Sequence, residues 1–353
     1  MRRVTISDVA SSAGVSKSTI SNYLNGNFGR MSDETKKKIK KAIEGLGYTP
    51  SLSARRLSSK NHSKTVCLAI PGNISHFNDT MFYPAMFSAL GEESKIFDYN
   101  TLIYSMGSDD VTKDTDYLKS LASSLVDGLL IYDLEEGNQS FREIAKAGIP
   151  YVCVGKFDGI DDYNYVASDH GKAMREVLDY FYNLDHKKVA IITEGKSTSV
   201  VESARNRAYR EFMSEKEQEN LGYTYYRINQ NETISDIKLL FNELLNPCNR
   251  PTAVAVISYF CGQFMDVVKG YGIKIPEDLS VIILEYYKND RLGDEYREFT
   301  RVDSKAEKVS KIAMRKLLKL IDEDKPFESE LVDLKLYVKN STAKRKKQGG
   351  KGN

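Results

Sequence analysis

The chain has 353 residues, 41% of them hydrophobic, with four cysteines and no tryptophan. That length exceeds one typical core and predicts two or three domains. No stretch approaches the roughly 20 apolar residues of a membrane span, and Met1-Arg2-Arg3 runs into a polar helix rather than an apolar signal region, so a cytoplasmic location with no membrane partner is expected. The net charge of +2 hides an asymmetry: residues 1–60 hold 12 lysines and arginines against 4 acids, the segment from Lys344 to Asn353 adds five basic residues, and the middle is left at −11. A basic head suits a polyanion, which the acidic body would repel.

In chain order, the first signal is two short helices joined by a glycine turn. Ile6, Val9, Ala10 and Ala13 recur at i, i+3, i+4 and i+7 and give the first helix one apolar face. Gly14 permits the turn and Ser16 is placed to cap the next helix. In that helix Ile20, Tyr23 and Leu24 pack inward, while Lys17, Ser18, Ser21, Asn22 and Asn25 point out. This is a helix-turn-helix, and its polar outer face fits a DNA major groove. A third helix is predicted from Ser32 to Leu46. Its run Lys36, Lys37, Lys38, Lys40 and Lys41 reads as a solvated face adding a diffuse field.

After Lys60 the pattern changes to apolar runs alternating with amphipathic stretches. Residues 65–70, 101–104, 128–132 and 151–154 read as buried parallel strands, and 188–192, 252–257 and 280–284 form a second series. Two doubly wound α/β lobes are the economical reading. Cys67, Cys153, Cys248 and Cys261 contain no Cys-x-x-Cys pair and three lie in apolar runs, so reduced core thiols are favoured over a metal site or disulfide.

The residues from Thr5 to about Leu57 resemble the DNA-binding headpiece of the lactose-repressor/galactose-repressor family. The resemblance rests on Thr5-Ile6-x-Asp8-Val9-Ala10, Ala13-Gly14-Val15-Ser16-x-x-Thr19-Ile20-Ser21, Leu24-Asn25, Gly47-Tyr48-x-Pro50 and Ser53-Ala54-Arg55-Arg56-Leu57. It extends through Val126-Asp127-Gly128-Leu129, Ala147-Gly148-Ile149-Pro150, Ala204-Arg205, Pro251 to Val254, Ile275 to Val281 and Phe299 to Val302, and so over almost the whole chain. The implied fold is an all-α helix-turn-helix headpiece (1–50), a hinge (51–60), and a two-lobed α/β core with parallel sheets like periplasmic binding proteins (61–343). Lobe crossings are expected near 165, 299 and 331, and a disordered basic tail over 344–353.

The resemblance implies a sequence-specific transcription regulator, most simply a repressor, binding a pseudo-palindromic operator in double-stranded DNA as a homodimer. Lys17, Ser18 and Asn22 are placed to reach base edges, while Thr5, Ser16, Thr19, Ser21 and Asn25 are read as positioning contacts. The family usually has arginine at Asn22, so an operator cannot be copied from relatives. Ala54 and Leu57 belong to a hinge implied to fold on DNA, with the leucine wedged into the minor groove.

The family binds an effector between the lobes. Arg205 stands where a guanidinium usually clamps effector oxygens, and Asp169 either joins it or simply caps the helix that follows. The usual Asn-Asp is Ser258-Tyr259 here, and the usual Phe-Asp-Asp is Leu284-Glu285-Tyr286. Tyr259, Glu285 and Tyr286 complete the expected site, with fewer amides and carboxylates and more stacking surface. A sugar-like or phosphorylated ligand, a protein coregulator and no effector at all stay open. No cofactor, metal or catalytic residue is expected: His62, His76, His170 and His186 lack ligand spacing, and no Gly-x-Ser-x-Gly elbow or Walker loop occurs. An enzyme and a plain sugar-binding protein are the weaker alternatives.

Overall fold

The computed structural model describes residues 4–24, 26–29, 31–48, 63–71, 81–107, 111–132, 140–157, 159–160, 162–195, 199–229, 232–287, 293–323 and 327–345. Asn25, Ala54, Leu57 and the hinge lie outside the described residues.

The head is three helices, α1 (Ile6–Ala13), α2 (Lys17–Leu24) and α3 (Asp33–Leu46). Thr5 opens α1 with a capping box, and Gly14 ends it at φ 66°, a left-handed conformation that glycine adopts without the usual Cβ cost. Ser16 Oγ accepts from Thr19 N at 3.1 Å at the start of α2. Ser32 Oγ accepts from Thr35 N at 3.2 Å at the start of α3. Val9, Ala10, Ala13, Ile20, Ile39, Ala42 and Tyr48 form one small shared core. Three of the five α3 lysines face acids on their own helix: Lys36 with Asp33, Lys38 with Glu34 and Lys40 with Glu44.

Two six-stranded sheets follow. The first runs β11-β5-β4-β3-β1-β2 and joins β1 (Thr65–Pro71), β2 (Asn100–Met106), β3 (Gly128–Tyr132), β4 (Tyr151–Val154), β5 (Tyr165–Ser168) and β11 (Glu330–Val332). Along β1, Val66, Leu68 and Ile70 meet α4 (Phe82–Phe97) and α11 (Ala306–Glu323) on one face. Cys67 and Ala69 meet α5 (Val111–Ser124) and α6 (Ser140–Lys146) on the other. Strands buried on both faces are why these runs are continuously apolar rather than alternating. Gly128 is required by closeness: a Cβ there would lie 2.9 Å from Leu317 Cδ1 and 3.0 Å from both Ile321 Cδ1 and the Pro150 carbonyl oxygen. Buried Glu93 on α4 accepts two bonds from Arg315 on α11, at 2.7 and 2.8 Å, and ties those helices together.

The second sheet runs β12-β10-β9-β8-β6-β7, with β6 (Lys188–Glu194), β7 (Gly222–Ile228), β8 (Ala253–Ile257), β9 (Ser280–Tyr286), β10 (Thr300–Asp303) and β12 (Leu336–Tyr337). Its covering helices are α7 (His170–Asn183), α8 (Val200–Glu215), α9 (Ile234–Leu244) and α10 (Ser258–Gly270). Every pairing in both sheets is parallel except β10 with β12. The chain passes between sheets three times: from β5 into α7 at Asp169, from β10 into α11 through Ser304–Lys305, and from β11 to β12 through Asp333–Lys335. All three passages leave the C-terminal ends of strands.

Where the chain enters β1, Ser63 N donates to Asp127 Oδ1 at 2.7 Å and Lys64 lies 4.5 Å over the Tyr99 ring. At the entry to the second sheet, Ser341 Oγ donates to the Val281 carbonyl at 2.6 Å and accepts from Thr300 N at 2.8 Å. Lys344 and Arg345, assigned above to a disordered tail, are instead fastened: Lys344 pairs with Asp185 at 3.3 Å and Arg345 N donates to the Leu184 carbonyl at 2.8 Å. These bonds extend the order of the sheet edge two residues further. Residues 346–353 lie outside the described residues. Cys67, Cys153 and Cys261 are buried free thiols and Cys248 is an exposed one. Among the described residues, no helix is long and apolar enough to cross a membrane.

Candidate DNA-binding face and interlobe site

On α2 the exposed side chains are Lys17, Ser18 and Asn22, with Ser16 exposed just before the helix; Thr19 and Ser21 are half-buried. Ile20 is fully buried, so the helix is held by one face and presents the other. Residues at i, i+1 and i+5 span an arc of about 140° on a helix of 3.6 residues per turn, wide enough for one groove-facing surface. Ser16 Oγ lies 2.7 Å from Ser18 Oγ and 2.8 Å from Thr19 Oγ1. Those hydroxyls brace the helix start, where orphan backbone N–H groups favour a phosphate. Thr5 is engaged in its cap, donating Oγ1 and N to Asp8 Oδ2 at 2.7 and 2.8 Å.

The second group of expected residues lies on the second sheet and its helices. Arg205 on α8 is 5% exposed. Its Nη2 donates to Glu285 Oε1 and lies 3.2 Å from His170 Nδ1. Its Nη1 is 3.9 Å from Glu202 Oε2, one turn earlier on the same helix. Thr193 Oγ1 donates to the other Glu202 oxygen at 3.1 Å. Glu285, near the end of β9, takes φ 55°, a left-handed conformation that costs a non-glycine residue about 1 kcal/mol or more. Its side chain is 20% exposed and that of His170 17%, against 6% for Arg205. An incoming molecule therefore meets the carboxylate and the imidazole first, with the guanidinium behind them.

The protonation states follow from burial and partners. Burial works against the Glu285 carboxylate, yet the Arg205 guanidinium and then His170 outweigh it and hold its pKa below the ordinary value. Glu202 is pushed up by burial against the pull of Arg205. Burial, then the Arg205 charge, lowers His170 to about 4, so it is neutral at pH 7.

The structure thus brings Arg205 and Glu285 together. It places Asp169 as the cap of α7, where Oδ1 accepts from Lys172 N at 2.9 Å. Tyr286 is buried, with its ring 4.5 Å from the guanidinium of Arg301, itself bound to Asp303 at 2.7 Å. Tyr259 is half-buried, its ring 4.8 Å from Phe260 against the core of the second sheet. Sequence reasoning missed His170, Glu202 and Thr193 as members of the cluster. The i, i+3 spacing of Glu202 and Arg205 was a readable signal for one of them.

Residues 5–51 match the family described as bacterial regulatory proteins, lacI family, and residues 178–342 match the periplasmic binding protein-like domain. The chain is 29% identical over 338 residues to the probable HTH-type transcriptional regulator EndR of Paenibacillus polymyxa, covering 94% of each chain. Among solved structures it is similar to the lac repressor dimer bound to operator and the anti-inducer ONPF, with a TM-score of 0.77 at 19% identity over 97% of this chain and 100% of that one. It is also similar to the regulator CelR in complex with cellobiose, with a TM-score of 0.63 at 23% identity over 96% and 100%. The chain thus joins a capped helix-turn-helix head of the lacI family of bacterial regulatory proteins to a two-sheet, periplasmic binding protein-like core, the build of a DNA-binding transcription regulator.

Proposed function

We propose that the protein is a cytoplasmic, homodimeric repressor that reads a pseudo-palindromic operator through the exposed face of α2. The observation that carries this reading is Lys17, Ser18 and Asn22 exposed on one face of a helix whose other face is buried through Ile20. Lysine suits the guanine acceptors of the major groove, and asparagine pairs bidentately with adenine. Selection from randomised operator pools tests it. Lys17→Ala and Asn22→Ala each relax preference at one or two positions per half-site, at about 1 to 3 kcal/mol per lost contact, while Thr19→Ala weakens binding to all sequences alike. Unchanged base preferences in both alanine variants remove the assignment.

The effector reading centres on Arg205, Glu285 and His170. Glu285 covers the guanidinium and leaves an acceptor carboxylate outermost, which favours ligand hydroxyl groups over an anion that would first have to displace it. A sugar-like ligand is therefore preferred to a phosphorylated one at this point of the cleft; the cellobiose bound to CelR is of that chemistry. Binding that differs between two lobe arrangements would shift their populations and so the DNA affinity. Thermal shift with neutral disaccharides and with sugar phosphates separates the classes, and a shift with sugar phosphates alone overturns the preference.

A further inference from the structure

We infer that Phe28 is an apolar base contact of the DNA-binding face, reading the C5-methyl group of a thymine beside the base pair met by Asn22. This rests on the reading of α2 as the groove-facing helix. Phe28 lies just past the end of α2 and is 45% exposed. A single exposed apolar side chain is ordinary; what sets Phe28 apart is its position. Asn27 N donates to the Asn22 carbonyl at 2.9 Å and Phe28 N to the Gly26 carbonyl at 3.0 Å, which folds the chain back over the last turn of α2. The Phe28 ring meets Tyr23 edge-on, with 5.8 Å between centroids. Tyr23 is half-buried and follows Asn22 by about 100° round the helix, in the sense away from Lys17. Phe28 therefore continues the exposed face sideways past Asn22, and Lys17, Ser18, Asn22 and Phe28 come in that order across it.

Two neighbours hold the ring in place. Besides Tyr23, Lys36 on α3 puts its Nζ 5.3 Å from the ring centroid, and Asp33 Oδ1 fixes that ammonium group at 2.9 Å. A ring already held in the free protein has little rotamer freedom to lose when DNA arrives. Gly29 leaves the approach open: it has no left-handed φ, and a Cβ there would meet nothing within 4 Å, so neither backbone strain nor packing within the head calls for glycine. The chemistry of the ring then selects the target. A phenyl group has no donor for a phosphate and no donor or acceptor for the polar edge of a base. The apolar group that a major groove presents is the thymine methyl. Lysine, serine and asparagine read donors and acceptors, and Phe28 adds the feature of the groove that they do not read.

Operator duplexes from the selection above test this with full-length protein. Each half-site thymine is replaced in turn, in both half-sites, by deoxyuridine, which removes the methyl group and keeps the base pair. At one position the wild type loses about 4-fold in affinity per half-site, or about 15-fold for the symmetric duplex, the worth of one buried methyl group. Phe28→Ala binds the thymine and uracil duplexes alike, and Phe28→Leu keeps part of the difference. Selected half-sites with no preferred thymine, or a wild type indifferent to every replacement, overturn the proposal, and neither result depends on a variant that folds. An alanine variant with the full wild-type difference overturns it as well, and one weakened by a single factor on every duplex puts the ring on the sugar backbone instead. Failure of the α2 reading is seen separately, as base preferences unchanged in Lys17→Ala and Asn22→Ala.

Discussion

Arg205→Met removes the one cation that Glu285 and Glu202 share while keeping much of its apolar bulk. The Glu202 carboxylate is 3.9 Å from Arg205 Nη1, and Glu285 bonds Nη2 directly. At an effective dielectric of about 20, one such pair at 3.9 Å attracts by about 4 kcal/mol, much of it offset by the desolvation of both charges. What the variant leaves behind is two carboxylates without their shared counter-charge, Glu202 keeping only the weaker pull of Arg227, and the expected loss is about 3 to 5 kcal/mol. Burial then raises the folded-state pKa of both acids above the unfolded value, so the folded variant holds protons that the unfolded chain has released. Its stability is fully present at acid pH and is lost as pH rises, so its deficit against wild type grows between pH 5 and 8. Urea unfolding across that range measures it, and adding Glu285→Gln to the variant restores part of the loss. A variant as stable as wild type, or a deficit that shrinks as pH rises, would refute the assignment of Arg205 as the counter-charge of this cluster.

Two buried histidines give the wild type an opposite slope: His170 and His186 are both lowered to about 4, chiefly by burial. The unfolded chain takes up these protons from about pH 6.5 downward while the folded one does not, so stability falls as pH drops from 6.5 toward 4, by about 3 kcal/mol per histidine. His186→Gln flattens the pH dependence of the melting temperature in that window, and an unaltered profile counts against the buried neutral ring. Gly128→Ala drives a methyl group into Leu317, Ile321 and the Pro150 carbonyl, and costs about 1 to 3 kcal/mol by denaturant titration; an unchanged midpoint removes the close-approach argument. Leu57→Gly abolishes most operator bending while leaving dimerisation intact, as read by gel-shift bend assays. A normally bent complex reduces the hinge to a tether.

The head was readable because everything that forms it is local: the Thr5 cap, the Gly14 turn and the spacing of Ile6, Val9, Ala10 and Ala13 lie within one stretch of chain. The apolar runs that became β3 and β4 were readable for the same reason. β7 was not, because Gly222–Ile228 is an edge strand of alternating exposure built from tyrosine, threonine and arginine. Nor was β11, whose three residues acquire strand geometry only by pairing with β5 about 160 residues earlier. The polar cluster divides in the same way. Arg205 was visible as a motif residue, but its Glu285 partner lies 80 residues away and His170 lies 35 away. Only the folded sheet decides that Glu285 turns toward them.

The clasp between Ser63 and Asp127 has a mechanical consequence. Three strand exits, together with Val200 and Val201 of α8 packed into the core of the first sheet, join the two sheets, while Ser63 is held at the far rim of the first sheet, a full strand length of about 23 Å from that joint. The first sheet then acts as a lever arm with its fulcrum at that joint and its load at Ser63. A rotation of about 10° at the fulcrum carries Ser63 sideways by about 4 Å, comparable to one strand spacing. In the proposed homodimer both copies of Ser63 travel, so a small closure between the sheets is doubled in the distance between them.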